Sequence, residues 1–499
     1  MSVDLTESSI AQWCPDRERH RCGYCKNPAG SISYGMFTEQ LTVEDYKDLI
    51  DRGWRRSGRY CYKPTMDKTC CPQYTIKCDA TEFTLNKSHK KIIKKFNKFL
   101  KDGVFNKNTP PNSQDNEEET SSEIPGYNKH SAINLSKSIT ITQNSDCKMI
   151  TKDTPRESLI LQSQPGNSSE NIQDVPNSVL KSVQKSSKDS LGPDPNKPPC
   201  KKAKLIRLER KKEKLMQKGQ TLEPTSHSNN QKSLSQFLEE IPANSKHKLK
   251  LKLILTSTSS AEWEQVKDIE FNLYSKYQTI VHNNSPGSVT MSGFTRFLVT
   301  SPLKSKPFPN GIEGPGYGSF HQQYWLDDKL IAVGVIDILP GCVSSVYFFY
   351  DPDYRDLSLG TYGSLREIQL VQNLAKKIPD LKYYYMGFYI HSCPKMRYKG
   401  NLNPSYLACP ETYVWVPISK CLEKLDASKY SRLNEDIDAI DTNACNDPKE
   451  IDSIKVVYDY KLMHVRDFLR ISKGGREMFE NIANLVGKKS SHSIIFWID

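Results

Sequence analysis

Apolar positions are dense toward both ends of the chain and sparse between them. From Ser31 to Leu100 short periodic runs alternate with turn residues. Tyr46, Leu49 and Ile50 share one face at helical spacing, and Tyr74-Thr75-Ile76-Lys77-Cys78 has the mix of β-branched and aromatic residues that suits a strand. Ile92, Ile93, Phe96 and Leu100 then mark one side of a helix among lysines. A small α+β domain is predicted over residues 1–100. From about His247 the apolar density returns and becomes aromatic. Lys329–Leu339 reads as an apolar strand closed by Pro340-Gly341, and Val343–Tyr350 as its hairpin-like partner. A glycine-containing turn, Leu357–Gly363, leads into a helix with Leu365, Ile368, Val371, Leu374 and Ala375 inward, stopping before Pro379. Tyr383–Ile390 is a further strand, so residues 245–499 are expected to form a second, larger α+β domain.

Between Lys101 and Asn244 the only aromatics are Phe105, Tyr127 and Phe237, and Ser, Asn, Gln, Lys and Pro dominate. Such a segment cannot bury enough apolar area to offset its chain entropy, and structureless loops above about 15 residues are rare inside compact domains. Residues 101–244 are therefore expected to be a mostly disordered linker. Lys201–Lys218 within it is a basic helix candidate, open to two readings: a solvated helix, or a signal for nuclear import or RNA contact.

Composition sharpens this picture. Only 36% of the 499 residues are hydrophobic while 26% are charged, lean for a wholly packed chain and consistent with the sparse middle. A net charge of +12 favours polyanionic partners, because each phosphate neutralised by Lys or Arg releases a condensed counterion. No run of eighteen apolar residues and no apolar leader occur, so the expectation is a soluble intracellular protein of cytoplasm and nucleus without membrane attachment. In that reducing setting the 14 cysteines read as thiols or metal ligands, not a disulfide frame.

Four features carry candidate chemistry. Cys22-Gly23-Tyr24-Cys25 spaces two thiols so that one metal can take both from a tight turn, and Cys70-Cys71 would complete a four-sulfur set. Cys14, His20, Cys61 and Cys78 are substitute ligands, and zinc and an iron–sulfur cluster both suit thiolates. Arg52–Tyr60 interleaves guanidinium groups, Arg55 and Arg56 among them, with aromatics, a combination that pairs with phosphate or carboxylate and stacks on bases. Gly360-x-x-Gly363 before a helix offers backbone amides to a phosphate, although a plain strand-to-helix turn explains it as well. Asp337 lies in the middle of an apolar strand, where a carboxylate without a cation is costly; a structural partner and a substrate cation are equally open as its explanation. The chain lacks a phosphate-binding Gly-x-x-x-x-Gly-Lys-Ser/Thr loop, a Gly-x-Gly-x-x-Gly fingerprint, a His-Glu-x-x-His and a Gly-x-Ser-x-Gly. An enzyme built this way would use a substrate already activated.

The order strand, strand, glycine turn, helix, strand resembles the centre of GNAT-type acyltransferases. Longer strings resemble the eukaryotic arginyl-tRNA–protein transferases. In the amino-terminal part these are Cys22-Gly23-Tyr24-Cys25, Ser33-Tyr34-Gly35, Asp51–Gly58, Tyr62-Lys63-Pro64 and Cys70–Ile76. In the carboxy-terminal part they are Leu273–Gln278, Ser292-Gly293-Phe294, Tyr317–Tyr324, Asp337-Ile338-Leu339-Pro340, Ser344–Phe348 and Ser358-Leu359-Gly360. The resemblance implies a GNAT-like transferase domain, arginyl-tRNA as donor, and acceptor proteins beginning with Asp, Glu or oxidised Cys that are thereby marked for ubiquitin-dependent degradation. It also implies that Cys22, Cys25, Cys70 and Cys71 bind zinc or an iron–sulfur cluster, with no use of CoA, ATP or NAD.

The chemistry then expected is attack of an α-amine, of reference pKa about 7.7 to 8.0, on a preformed aminoacyl ester. Asp337 is expected to meet the arginyl guanidinium or the amine, with His321, Gln322 and Tyr324 as neighbours. Lys276, Lys395, Arg397 and Lys399 are candidate cations for the acceptor's carboxylate. A CoA-dependent acetyltransferase is one rival, disfavoured because its signature has a tighter Gly-x-Gly; a non-catalytic zinc-bearing RNA-binding protein is another.

Overall fold

Strand-forming runs from both ends of the chain are woven into two sheets. The structure, a computed structural model, describes residues 5, 7–14, 19–104, 232–256, 260–472 and 474–498, and the basic helix candidate 201–218 lies outside them. In chain order the strands are β1 (Ser9–Cys14), β2 (Ser33–Gln40), β3 (Arg55–Ser57), β4 (Tyr60–Pro64), β5 (Tyr74–Asp79), β6 (Leu249–Leu255), β7 (Gly318–Leu326) and β8 (Lys329–Leu339). They continue as β9 (Cys342–Tyr350), β10 (Tyr383–Tyr389), β11 (Ser405–Ala408), β12 (Trp415–Pro417), β13 (Lys455–Tyr458), β14 (Lys461–His464) and β15 (Ile494–Trp497). One sheet has the order β14-β13-β15-β1-β2-β4-β3 and the other β12-β11-β5-β10-β9-β8-β7-β6.

The expected α+β class holds. The expected boundary between residues 1–100 and 245–499 does not mark two bodies. All six residues of β5 are buried, and an interior strand needs ladder partners on both sides. Those partners are β10 and β11, both from the far half of the chain. Conversely, β15 pairs in parallel with β1 and carries the carboxy-terminal hairpin β13–β14 into the first sheet. The described residues accordingly form one compact unit.

The linker also ends earlier than composition suggests. Ser233 and Gln236 close a capping box on the helix Leu234–Leu238, whose two leucines are buried. The Leu238 carbonyl accepts from Arg366 and the Glu239 carboxylate from Gln369, so the stretch from Lys232 is docked on the helix Leu359–Ala375. An apolar pair at i, i+4 inside a good cap outweighs the polar background there.

Two elements place the pocket. The helix Lys87–Asp102, capped by Asn86 and ended by Gly103 in the left-handed region, buries Ile93, Phe96, Phe99 and Leu100 and turns its lysines outward. Phe96 stacks on Tyr362 with ring centroids 4.1 Å apart, holding this helix against the Leu359–Ala375 helix. The second element is the unit β9–helix–β10. Its two strands are parallel and paired only where Tyr383–Tyr385 faces Cys342–Ser344. Beyond that Gly387 adopts a φ of 66°, the register of β10 with β5 shifts between Tyr385 and Phe388, and β9 and β10 part. A cleft opens between them, roofed by the start of the helix. Among the described residues no helix is long and apolar enough to cross a membrane.

Because β15 closes the first sheet from the far end of the chain, Phe496, fully buried, should be a stability hot spot. Phe496→Ala is expected to cost about 3–5 kcal/mol in urea denaturation, as for other buried phenylalanines.

Candidate active site and metal centre

The pocket takes residues from every part of this weave. Tyr46, Arg55, Arg56 and Tyr62 come from the amino-terminal third, Ser344–Phe348 from β9, Tyr384 and Met386–Phe388 from β10, and Gly360, Ser364 and Glu367 from the helix between those strands. Lys395, Met396, Tyr398 and Lys399, after β10, form one rim, and Tyr24 reaches in from the cysteine loop.

Arg56 is fixed first. From β3 its Nε donates to Asp337 Oδ2 at 2.9 Å and its Nη2 to Oδ1 at 2.6 Å, a two-pronged pair with both side chains almost wholly out of water. Ser319 Oγ, on β7, donates to the same carboxylate at 2.7 Å. Burial alone would lower the Arg56 pKa, but Asp337 outweighs it and raises it. The cation that the mid-strand carboxylate required is thus internal. Asp337 is fully buried and does not line the pocket, so its expected role toward substrate is corrected to that of a structural partner.

Its expected neighbours are engaged in the same way. His321 Nδ1 lies 2.5 Å from Glu270 Oε2, its Nε2 3.2 Å from the Leu298 carbonyl, and Gln323 donates to Glu270 Oε1, all fully buried. Gln322 accepts from Tyr324 Oη at 2.8 Å beneath the sheet. Lys276 is held by Asp351 at 2.5 Å and Asp353 at 2.7 Å, on another face. Arg397 is exposed and borders a separate cavity with His391, Asp426 and Lys429. Of the residues expected at the site, the pocket brings together Arg55, Arg56, Lys395 and Lys399.

Arg55 differs from Arg56 in one decisive respect. Its Nη1 donates to the carbonyls of Ile50 and Trp54 at 3.0 and 2.6 Å and its Nη2 to that of Gly387 at 3.0 Å, while Nε has no partner. The guanidinium carbon lies 5.0 Å from the centre of the Phe388 ring. Burial lowers its pKa, with tyrosines and Asp51 acting the other way. Among the described residues no carboxylate touches it, so a buried cation lines the pocket with carbonyls and an aromatic ring as its immediate partners and Asp51 acting from further off.

Glu367 is the opposite pole. It is 1% exposed, it accepts from Tyr384 Oη at 2.5 Å, and Ser345 also hydrogen-bonds it. Burial pushes its pKa up to about 7, against those two hydrogen bonds, which lower it. It fits only because β8 has glycine opposite: a Cβ on Gly334 would stand 2.6 Å from Glu367 Oε1. This residue was missed in the sequence, although a signal existed. Glu367 lies four positions before Val371 and seven before Leu374, a carboxylate on the apolar stripe of a helix.

The four cysteines converge as expected. The Sγ atoms of Cys22, Cys25, Cys70 and Cys71 all lie within 4.8 Å of one another, and those of Cys25 and Cys70 are 3.2 Å apart. A tight turn makes this possible: Lys26 N–H donates to the Cys22 carbonyl with Lys26 at a φ of 64°, and Cys70 N–H donates to the Gly30 carbonyl. A Cβ on Gly30 would come within 2.4 Å of Cys70 Sγ. Burial raises Cys71 to about 12; for Cys25 burial also raises, but the Asn27 amide and the other thiols outweigh it and bring it to about 7. Four soft donors so close suit a metal ion, whose charge would hold all of them as thiolates. The substitutes Cys14, His20, Cys61 and Cys78 are not part of this group. Cys22 and Cys71 pack on Ile390, with Tyr24, Cys393 and Met396 alongside, so the centre abuts the rim of the pocket.

A cleft between parting parallel strands that holds a buried carboxyl and a buried cation is the candidate active site. The family model described as arginine-tRNA-protein transferase, N terminus, matches residues 20–91, and that for the C terminus matches residues 269–409. The chain is 44% identical to arginyl-tRNA–protein transferase 1 of Drosophila melanogaster, over 96% of this chain and 97% of that one. It is 35% identical to arginyl-tRNA–protein transferase 2 of Arabidopsis thaliana, over 84% of this chain and 76% of that one. A shorter likeness, 42% over 82 residues, covers 16% of this chain and 32% of an aspartate/glutamate leucyltransferase of Campylobacter jejuni. The chain belongs to the arginyl-tRNA–protein transferase family and is an aminoacyltransferase.

The metal centre can be tested separately. Loss of an outer hydrogen-bond partner alone costs such sites about 10–100-fold in affinity, so Cys70→Ser is expected to lower metal affinity by more than about 100-fold in chelator competition.

Proposed function

We propose that this enzyme transfers arginine from arginyl-tRNA to the free α-amino group of proteins that begin with Asp, Glu or oxidised Cys, marking them for ubiquitin-dependent degradation, and that its catalytic part is a GNAT-like acyltransferase fold. The observation that carries this reading is the pairing, in one pocket, of Arg55, a buried cation without a carboxylate, with Glu367, a buried carboxyl. The relatives' names supply the donor: they are arginyl-tRNA–protein transferases, and the shorter likeness is to an aspartate/glutamate leucyltransferase. The parallel strands that part around a helix support the fold assignment.

In this reading the terminal nucleotide of the donor lies at the amino end of the Leu359–Ala375 helix, where the helix dipole favours phosphate. The acceptor's acidic side chain pairs with Arg55, with Lys395 and Lys399 on the rim adding positive potential. Glu367 takes the proton from the α-amine, the nitrogen attacks the ester carbon, the ester C–O bond breaks, and the proton returns to the departing ribose hydroxyl. A carboxyl near 7 is well matched to an amine of about 7.7 to 8.0. No nucleotide fuel is required, because the ester is already activated. The four thiols are proposed to hold a single zinc ion, since four cysteine sulfurs that lie this close together would suit it as thiolate ligands. The metal would then brace the loop that carries Tyr24 and the rim beside it.

Purified protein given labelled arginyl-tRNA is expected to label a peptide beginning with Asp and to leave its N-acetylated twin unlabelled. Equal labelling of both, or of neither, contradicts the reading. Since Glu367 works deprotonated, kcat/KM should rise with pH through about 7. Glu367→Gln should lower it by about 10²–10⁴-fold and abolish that rise; a variant with unchanged rate and profile removes Glu367 from the mechanism.

A further inference from the structure

The Lys87–Asp102 helix has an outer face that the pocket does not use. Lys87, Lys91, Lys94, Lys98 and Lys101 recur at i, i+4, i+7, i+11 and i+14, which puts all five on one side of the helix, and all are exposed. The stripe is about 21 Å long at 1.5 Å per residue. Its carboxy end is joined to a second row: Lys246 N–H donates to the Lys101 carbonyl, His247 N–H to that of Leu100, and the His247 ring stacks on Phe99. From there Lys246, Lys248, Lys250 and Lys252 follow at every second residue into the edge strand β6, all exposed. Neither row contains an acidic residue.

Ordinary surface lysines on a helix are interleaved with carboxylates at i±4; here the one acid of the helix is Asp102 at its end, four residues after Lys98, and Lys87, Lys91 and Lys94 have none. Among the described residues none of the five helix lysines has an ion pair; Glu240, which feels Lys94, is held by Lys232 at 2.8 Å, and Asp327, beside the second row, is paired with His247 at 2.8 Å. Nine like charges on adjoining rows repel one another, and a polyanion relieves that repulsion. An anionic membrane is the weaker candidate, because the apolar side of this helix, Ile93, Phe96, Phe99 and Leu100, is spent in the core and leaves nothing to insert. The location favours the donor's own nucleic acid. Through the Phe96–Tyr362 stack the lysine helix rests on the first turns of the Leu359–Ala375 helix, whose start forms the pocket wall. Lys95 reaches the Asp356 carbonyl just before that start.

We propose that the two lysine rows are the track along which the phosphate backbone of the tRNA body lies while its charged end occupies the pocket. This rests on the arginyl-tRNA reading and deepens it. Contacts of this kind position the nucleic acid and carry no sequence information, so the track should serve every arginine-accepting tRNA alike.

The test compares wild type with the triple variant Lys91→Ala/Lys94→Ala/Lys98→Ala, alanine being the best helix former, and with the matching Lys→Arg triple, which keeps the charges. Binding of arginine tRNA by the alanine triple is expected to weaken by about tenfold or more at low salt, and its slope of log affinity against log salt to shrink by about three. KM for arginyl-tRNA should rise while kcat, thermal stability and transfer from a short arginylated CCA trinucleotide stay as in wild type, and the arginine triple should behave as wild type. An alanine triple with unchanged KM and salt slope overturns the track. So does a variant that loses binding to phosphatidylserine vesicles while keeping that to tRNA. If wild type itself uses neither donor, the arginyl-tRNA reading has failed, and the track falls with it.

Discussion

A guanidinium from one sheet and a carboxylate from the other, both shut away from water, are the contact on which the pocket depends. Arg56 belongs to a three-residue edge strand, and Asp337 lies toward the end of an eleven-residue strand that is buried after its first residue. Taking either charge into the interior alone would cost several kcal/mol, and removal of one partner from such a pair typically costs about 3–5 kcal/mol. The pair as a whole contributes far less than that, because its Coulombic gain is set against two desolvation penalties. Its value lies in geometry. Two parallel N–H···O bonds and the Ser319 hydroxyl leave Arg56 a single position, and successive strand residues point to opposite sides. Once Arg56 is anchored, the direction of Arg55 is decided, and a cation held by carbonyls and the Phe388 ring, with no carboxylate in contact, is presented to the cleft.

Strand pairing joins the two halves of the chain in the same way. β5 fills a slot between β10 and β11, β15 fills one beside β1, and the pocket draws its cations from the first part of the sequence and its carboxyl from the second. The four-thiol centre extends this logic. It packs on Ile390 and Met396, just after β10, and carries Tyr24 to the pocket, so a residue more than twenty positions before Tyr46, the next pocket residue in sequence, still shapes the rim.

Local order was legible from periodicity where one face of an element is buried. The Lys329–Leu339 strand was read to its last residue, its hairpin with β9 turns at Pro340-Gly341 as the residues require, and the convergence of the cysteine pairs followed from ligand spacing. Pairings distant in sequence were not legible. Asp337 and Arg56 are 281 residues apart, and nothing local distinguishes a carboxylate awaiting a substrate from one already matched across that distance. Glu367 was hidden for the opposite reason: the helix declares itself by its apolar residues, and a single acid on their stripe leaves that periodicity unchanged. The docked end of the linker escaped because a five-residue helix contributes two leucines against a strongly polar background.

A double-mutant cycle on the buried pair tests the central claim most directly. Arg56→Met, Asp337→Leu and the double variant would be compared by urea denaturation, which reports stability without reference to activity. The account predicts that each single change costs about 3–5 kcal/mol, that the double variant costs well below their sum, and that the coupling is about 1–3 kcal/mol. Costs that add to within about 0.5 kcal/mol would mean that the two side chains do not act on each other and that the pocket is set by something else.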